Sequence, residues 1–181
     1  MAGLKFRVLL DSSSSTEVFR DILISDESNF ESLYQTILEA YNFNGDQMAS
    51  FYMSNDDWDK GQEITLMDMS FGEEPVPTSM MSSTIIKNFI EAPDQKMILV
   101  HDFLRIWIFL IELIGYEKDA PTSPQILLKV GDAPAEDSKN PDDNENLFVG
   151  DYDEEEDEFG FNDFDDDLSD EDYSSFDDYE Y

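Results

Sequence analysis

The chain has 181 residues, with 44 Asp and Glu against 10 Lys and Arg, a formal net charge of −34, and no cysteine. This charge repels phosphate, so direct binding to nucleic acid and adsorption to anionic lipid are disfavoured, whereas a basic protein partner is favoured. The lack of cysteine excludes thiol nucleophiles, disulfides and thiolate metal sites.

The first half of the chain predicts a strand, a second strand, a helix and a third strand. Residues 5–10 alternate in polarity with Phe6, Val8 and Leu10 on one face, and residues 18–24 follow a polar turn, which is typical of a hairpin. A helix is predicted because apolar and aromatic side chains recur at spacings of three and four residues and so form one stripe: Phe30, Leu33, Tyr34, Ile37, Leu38 and Tyr41. Ser28 and Glu31 have the spacing of a capping box, and residues 42–45 contain the Asn and Gly that end helices.

The second half predicts a further helix and more strands. Residues 54–82 form a long polar loop with one short strand at 64–67, and the apolar spacing over residues 81–90 predicts a helix that ends at Pro93. Residues 96–103 and 105–114 read as strands, the second apolar on both faces and therefore central. Residues 125–130 alternate, which places Ile126, Leu128 and Val130 on one face of a last strand.

The acidic residues are concentrated at the C-terminal end. Residues 140–181 hold 20 of the 44 acidic residues and no Lys, Arg or His. Such a segment cannot bury enough apolar surface to offset its ordering entropy. We therefore predict an α+β domain with a small mixed β-sheet over residues 1–137 and a disordered acidic tail over residues 138–181.

The order of elements and several residues resemble the Ri-plasmid third-open-reading-frame family, whose members are also described as resolvase-like passenger proteins of mobile elements. The family has a Val-aromatic-Arg step before its helix, and here residues 18–20 are Val-Phe-Arg. Its aromatic-Asp-Phe-Gly-Asp-x-Trp run corresponds to residues 101–107, where Asp102, Phe103 and Trp107 match. Its Pro-Pro-Glu-Asp motif corresponds to residues 133–137. The resemblance covers most of residues 4–137 and implies an α+β fold with a mixed sheet.

The chain departs from this family pattern at the most distinctive run. Leu104-Arg105 replaces the Gly-Asp pair, and His101 replaces the leading aromatic. A carboxylate is therefore lost and a guanidinium gained. The family has no established reaction, and the chain contains neither a serine-recombinase nor a tyrosine-recombinase constellation.

Three residues of that run form the candidate binding site. On a continuous strand Arg105 and Trp107 lie on one face, where the guanidinium can stack on the indole or pair with a carboxylate. Asp102 can pair with Arg105 across a bend. One interpretation is a buried structural pair that fixes the strand connection, and the other is a pocket for an acidic or planar ligand.

His101 is the only histidine, so any imidazole chemistry depends on it. Its neighbour Asp102 points to the opposite face of a strand and is poorly placed to orient it. A packing role is therefore favoured over a catalytic one. We expect no catalytic residues, no metal and no cofactor.

The tail carries aromatic side chains among its carboxylates. These are candidate anchors that seat in a groove of a basic partner while the charges steer the approach: Phe159, Phe161, Phe164, Tyr173 and Phe176. A tail that imitates nucleic acid on a basic surface, a tail that shields the domain's own cations, and a tail that only keeps the protein soluble fit the same composition.

Together these features favour a non-enzymatic interaction protein with a folded binding module and an acidic tail that engages a basic protein. The alternative is a metal-dependent hydrolase associated with mobile elements that uses carboxylates such as Asp102 and Glu112. No segment approaches the roughly 20 apolar residues that span a bilayer, and no secretory signal is apparent, so we expect a cytoplasmic protein. The sequence leaves the oligomeric state open.

Overall fold

A computed structural model describes residues 1–12, 14–68 and 79–144. In this part of the chain one α-helix packs against an eight-stranded sheet. In chain order the elements are β1 (Gly3–Leu10), β2 (Phe19–Ser25), α1 (Phe30–Tyr41), β3 (Ala49–Ser54), β4 (Glu63–Thr65), β5 (Ser79–Met80), β6 (Lys96–His101), β7 (Trp107–Glu117) and β8 (Gln125–Val130).

The strands lie in the order β5-β4-β3-β6-β7-β1-β2-β8. Every neighbouring pair is antiparallel except β4 and β5, which are parallel. The predicted α+β fold with a mixed sheet is therefore confirmed. Within the predicted long loop of residues 54–82, the short strand predicted at residues 64–67 is present as β4, shifted to Glu63–Thr65. The structure adds β5, and residues 69–78 lie outside the described residues.

The helix α1 follows the predicted stripe, since every member of that stripe is buried. The predicted capping box is wrong. Asn29 is the N-cap, and its Oδ1 accepts from the Ser32 amide at 2.9 Å. Asn42 ends the helix at φ 57°, as predicted. In the described ranges no helix has the length and apolarity needed to cross a bilayer.

The predicted helix over residues 81–90 is also wrong, since only Ile86–Phe89 form a single 3-10 turn. Besides local turn bonds, the backbone of this segment bonds to the start of α1. The carbonyls of Met81 and Thr84 accept from the amides of Glu31 and Phe30 at 3.2 and 3.0 Å. These bonds satisfy amides that the first turn of a helix leaves without partners.

The core lies mainly between α1 and one sheet face, and a smaller apolar cluster lies on the other face. In the larger cluster, Phe109 of β7 is fully buried and lies edge-on to the ring of Tyr41 at 4.9 Å. In the smaller cluster, Ile98 and Val100 pack with Ile108 and Leu110. The strand β7 thus contributes to both clusters and lies centrally, between β6 and β1, as predicted.

The last strand contains a bulge that the alternating pattern does not reveal. Asp21 pairs with Leu128, and the next residue, Ile22, pairs with Ile126. Leu127 is therefore an extra residue in β8. Because Asp21 and Ile22 point to opposite faces of the sheet, their partners Leu128 and Ile126 also point to opposite faces. The prediction that Ile126, Leu128 and Val130 share one face is wrong for this reason.

Candidate functional site

The connection between β6 and β7 is a tight turn rather than the start of a strand. Asp102 and Ile106 adopt φ values of 61° and 53°. The left-handed region is tolerated by Asp but unusual for a β-branched residue, and such strain is of order 1–3 kcal/mol. The Ile106 amide donates to the Asp102 carbonyl at 2.6 Å and closes the turn.

The Asp102 side chain fixes this turn from within. It is 1% exposed, and its Oδ1 accepts from the amides of Leu104 and Arg105 at 3.0 and 3.2 Å. Its Oδ2 lies 3.3 Å from Nη1 of Arg105, which is the ion pair that the sequence suggested. Because Arg105 precedes β7, the expectation that it shares a strand face with Trp107 is wrong.

His101, the last residue of β6, is fully buried between two polar partners. Its Nε2 lies 2.8 Å from Oε1 of Glu136, and its Nδ1 lies 2.9 Å from the hydroxyl of Tyr34. Since a carboxylate only accepts, Nε2 donates, and in the neutral imidazole Nδ1 accepts from Tyr34. Burial raises the pKa of Tyr34, and the charges of Glu136 and Asp102 raise it further.

Glu136 belongs to a segment, residues 133–139, which we call the strap. Three bonds of Glu136 attach the strap to the domain: the bond to His101, a bond from the Asn44 amide to its Oε2 at 2.6 Å, and a bond from Trp107 Nε1 to its carbonyl at 3.0 Å. Lys139 completes the attachment, since its Nζ donates to the Ile106 carbonyl and lies 5.3 Å from the centre of the Trp107 ring.

The strap and the turn form the two sides of a cleft of about 400 Å³. The remaining wall is the segment that follows α1. The lining residues are Asn42, Asn44, Asp46, Gln47, Arg105, Ala135, Glu136 and Asp137. Among the described residues, the carboxylates of Asp46 and Asp137 have no hydrogen-bond or ion-pair partner, whereas both oxygens of Glu136 are engaged. The cleft therefore offers two available carboxylates and a set of amides.

The three candidate binding residues are thus brought to one region in different roles. Arg105 lines the cleft, Asp102 holds the turn that carries it, and Trp107 lies under the strap. Sequence patterns place Tyr34 in the apolar stripe of α1 and Glu136 in the motif at residues 133–137, but neither pattern indicates a contact with His101. The available signal was the lone histidine, which needs polar partners if it is buried.

The two carboxylates of the hydrolase alternative have separate surroundings. Asp102 is engaged by the turn, as described above. Glu112 on β7 lies in register with Lys96 on one side and Arg7 on the other, and Arg7 also pairs with Asp21 at 2.9 Å. In the described ranges no three His, Asp or Glu side chains are grouped so that they could hold a metal ion.

Comparison with a family model decides where this chain belongs. The model described as plasmid pRiA4b ORF-3-like protein matches residues 2–177. The chain is a member of this family. The two segments that carry the resemblance to plasmid pRiA4b ORF-3-like proteins, residues 101–107 and 133–137, meet at the cleft through the bonds of Glu136 to His101 and Trp107.

A solved structure shares the fold of this plasmid pRiA4b ORF-3-like protein. It is the crystal structure of a protein of unknown function from Methanosarcina mazei Go1, with a TM-score of 0.63 and 15% sequence identity, covering 81% of this chain and 79% of that one. A comparison with curated proteins gave no match. The candidate tail anchors, Phe159, Phe161, Phe164, Tyr173 and Phe176, lie outside the described residues.

Proposed function

We propose that the protein is a non-enzymatic interaction protein whose cleft receives a basic side chain of a partner protein, while the acidic tail steers that partner. The observation that carries this proposal is the cleft itself. It is lined by three carboxylates against one guanidinium, and that guanidinium is already paired with Asp102. The lining therefore favours a positively charged group.

The chemistry of the lining suits a guanidinium or ammonium group. Asp46 and Asp137 are exposed and supply charge-assisted acceptors. The amide oxygens of Asn42, Asn44 and Gln47 add neutral acceptors around them. An Arg or Lys side chain that enters the cleft would meet acceptors from two sides.

The rigid surroundings support a binding role. The turn at Asp102 and the strap at Glu136 hold the two sides of the cleft through partly buried hydrogen bonds. A preorganised site spends less of its binding energy on ordering its own side chains. The strain at Ile106 is consistent with a turn whose shape is needed for this purpose.

The tail supplies the long-range part of the proposal. Residues 140–181 carry 20 acidic residues and no basic ones, so they attract a basic surface, including one that otherwise binds nucleic acid. Its interspersed aromatic side chains, among them Phe159 and Phe176, are the proposed anchors on that surface.

The experiment is a calorimetric titration of the full chain with an arginine-rich peptide. Asp46→Asn combined with Asp137→Asn is expected to weaken binding about threefold to tenfold, since each exposed charge contributes up to about 1 kcal/mol. Asp57→Asn combined with Asp94→Asn removes the same charge from exposed positions that do not line the cleft and is the matched control. Equal weakening by both pairs would contradict the role of the cleft.

A stopped-flow measurement of peptide association, repeated at several salt concentrations, separates the contribution of the tail from that of the cleft. A chain that ends at Asn144 keeps the strap and removes 37 residues, 145–181. It is expected to bind the peptide more slowly and with a weaker dependence on salt, because steering by exposed charges is screened over about 8 Å at physiological salt. Unchanged association kinetics would count against the tail.

A further inference from the structure

The strand β8 lies at the end of the sheet. In the described part of the chain it pairs only with β2, so its outer side is an edge. The opposite edge is β5, which has two residues, whereas β8 has six. Very short edge strands are poor templates for pairing, so β8 is the edge that can accept another strand.

The side chains of β8 are unusual for an unprotected edge. Leu127 and Leu128 are each 44% exposed, and Lys129 is the only charged residue of the strand. Natural edge strands commonly carry charged side chains that discourage pairing with another chain. Two adjacent exposed leucines instead favour such pairing. The bulge places both leucines, exposed, at this edge, so a strand paired with β8 would lie beside both.

The edge is also held in place from inside the domain. Arg20 is 4% exposed, and its Nη1 donates to the Val130 carbonyl at 2.8 Å while its Nε donates to the Ala40 carbonyl at 3.0 Å. Gly131 follows at φ 76°, and a Cβ there would lie 2.5 Å from the Glu17 carbonyl oxygen. The strand is therefore a preformed template.

We propose that β8 pairs with an extended basic segment of the partner protein, which adds to the sheet as a further strand. This inference rests on the proposed function, since it concerns how the same basic partner is held. Main-chain hydrogen bonds along β8 would supply affinity, and apolar side chains of the segment would cover Leu127 and Leu128.

Charge decides between a basic segment and a second copy of this chain as the occupant. The acidic residues continue directly after β8, with Asp132, Glu136 and Asp137 followed by 20 more in residues 140–181. A second copy would carry the same net charge of −34 and be repelled, whereas a basic segment is attracted to the acidic chain.

The test uses the full chain and two peptides as long as β8 with the same number of lysines. One alternates lysine with valine, and the other alternates lysine with proline, which cannot donate a ladder hydrogen bond. The lysine-valine peptide is expected to bind more tightly and to slow hydrogen exchange of the β8 amides about tenfold. Leu127→Ser combined with Leu128→Ser should reduce both effects, whereas Ile114→Ser, at an isoleucine of β7 that is 39% exposed and does not line the cleft, should not.

The other outcomes each decide against the inference in a distinct way. If both peptides bind equally and β8 exchange is unchanged, the inference is overturned and the proposed function stands. If neither peptide binds, the proposed function fails and the inference fails with it. If β8 is protected without peptide and more so at higher protein concentration, a second copy occupies the edge and the basic segment is the wrong occupant.

Discussion

His101 and Glu136 are 35 residues apart in the chain and share a hydrogen bond of 2.8 Å between Nε2 and Oε1. This bond joins the end of a central strand to the strap, and the imidazole is fully buried beneath it. The Glu136 carboxylate therefore provides two of the bonds that attach the strap, and with it one side of the cleft.

Glu136→Ala is expected to destabilise the domain by about 1–3 kcal/mol, because the buried Nε2 of His101 loses its acceptor. The measurement is urea-induced unfolding, together with limited proteolysis of the strap, which should become faster. Asp137→Ala changes the exposed neighbour and should alter stability by no more than about 0.5 kcal/mol. Similar losses in the two variants would contradict the role assigned to Glu136.

The pH dependence of stability tests the surroundings of Tyr34. Its pKa is raised in the folded protein, mainly by burial, so the folded state keeps the phenolic proton where the unfolded chain loses it. This contribution is complete below about pH 10 and is lost as the pH rises toward the higher folded pKa, by up to about 1.4 kcal/mol per pH unit. The free energy of unfolding of Tyr34→Phe, measured by urea titrations at several pH values, should therefore fall less steeply above pH 10 than that of the unchanged protein.

Tyr41 offers a matched comparison for that slope. Burial raises its pKa as well, and its hydroxyl donates to the Val8 carbonyl at 2.8 Å. Tyr41→Phe should flatten the slope to a similar extent, and the double variant should flatten it further. Identical slopes in all four proteins would contradict both assignments.

Asp102→Ala and Asp102→Asn separate the shape of the β6–β7 turn from its charge. Asn keeps the side-chain oxygen that accepts from the Leu104 and Arg105 amides and tolerates the φ of 61°. Ala removes the oxygen and leaves the strain, so it should cost about 1–3 kcal/mol more than Asn. Thermal unfolding measures this difference, and equal stability of the two variants would show that the oxygen does not hold the turn.

Arg20→Lys tests how β8 is attached. Lysine cannot reproduce the planar set of donors that binds the carbonyls of Ala40, Phe19 and Val130. The loss of charge-assisted bonds to buried carbonyls is expected to lower stability by about 1.5–3 kcal/mol and to speed hydrogen exchange in β8. Lys is the conservative choice because it keeps the positive charge over the Tyr41 ring, which lies 4.7 Å from the guanidinium carbon.

Much of the fold could be predicted because its signals are local. The buried side chains of α1 recur at helical spacing throughout the helix. The strand β7 is apolar on both faces because it contributes to two apolar clusters. The 3-10 turn at Ile86–Phe89 could not be predicted in this way, because the carbonyls of Met81 and Thr84 before it accept from α1 amides that lie 50 and 54 residues earlier in the chain. The bulge at Leu127 depends on the register with β2 and leaves the alternation of the sequence unchanged.

In the candidate site, too, contacts between residues close in sequence could be predicted and contacts between distant residues could not. The pair of Asp102 and Arg105 is three residues apart and could be inferred from the sequence. The partners of His101 come from α1 and from the strap, 67 and 35 residues away, and no local pattern identifies them. The cleft exists only because these distant segments meet.

The proposed cleft is tested most directly by mapping, from amide chemical shifts in NMR spectra, where an arginine-rich peptide contacts the full chain. We expect the shifts to concentrate at cleft residues such as Asn44, Arg105 and Asp137, together with residues of the tail. At the same peptide concentration, the cleft shifts should become clearly smaller when Asp46 and Asp137 are both changed to Asn. Shifts confined to the tail, or spread evenly over the acidic surface of the domain, would contradict a specific basic-side-chain site in the cleft.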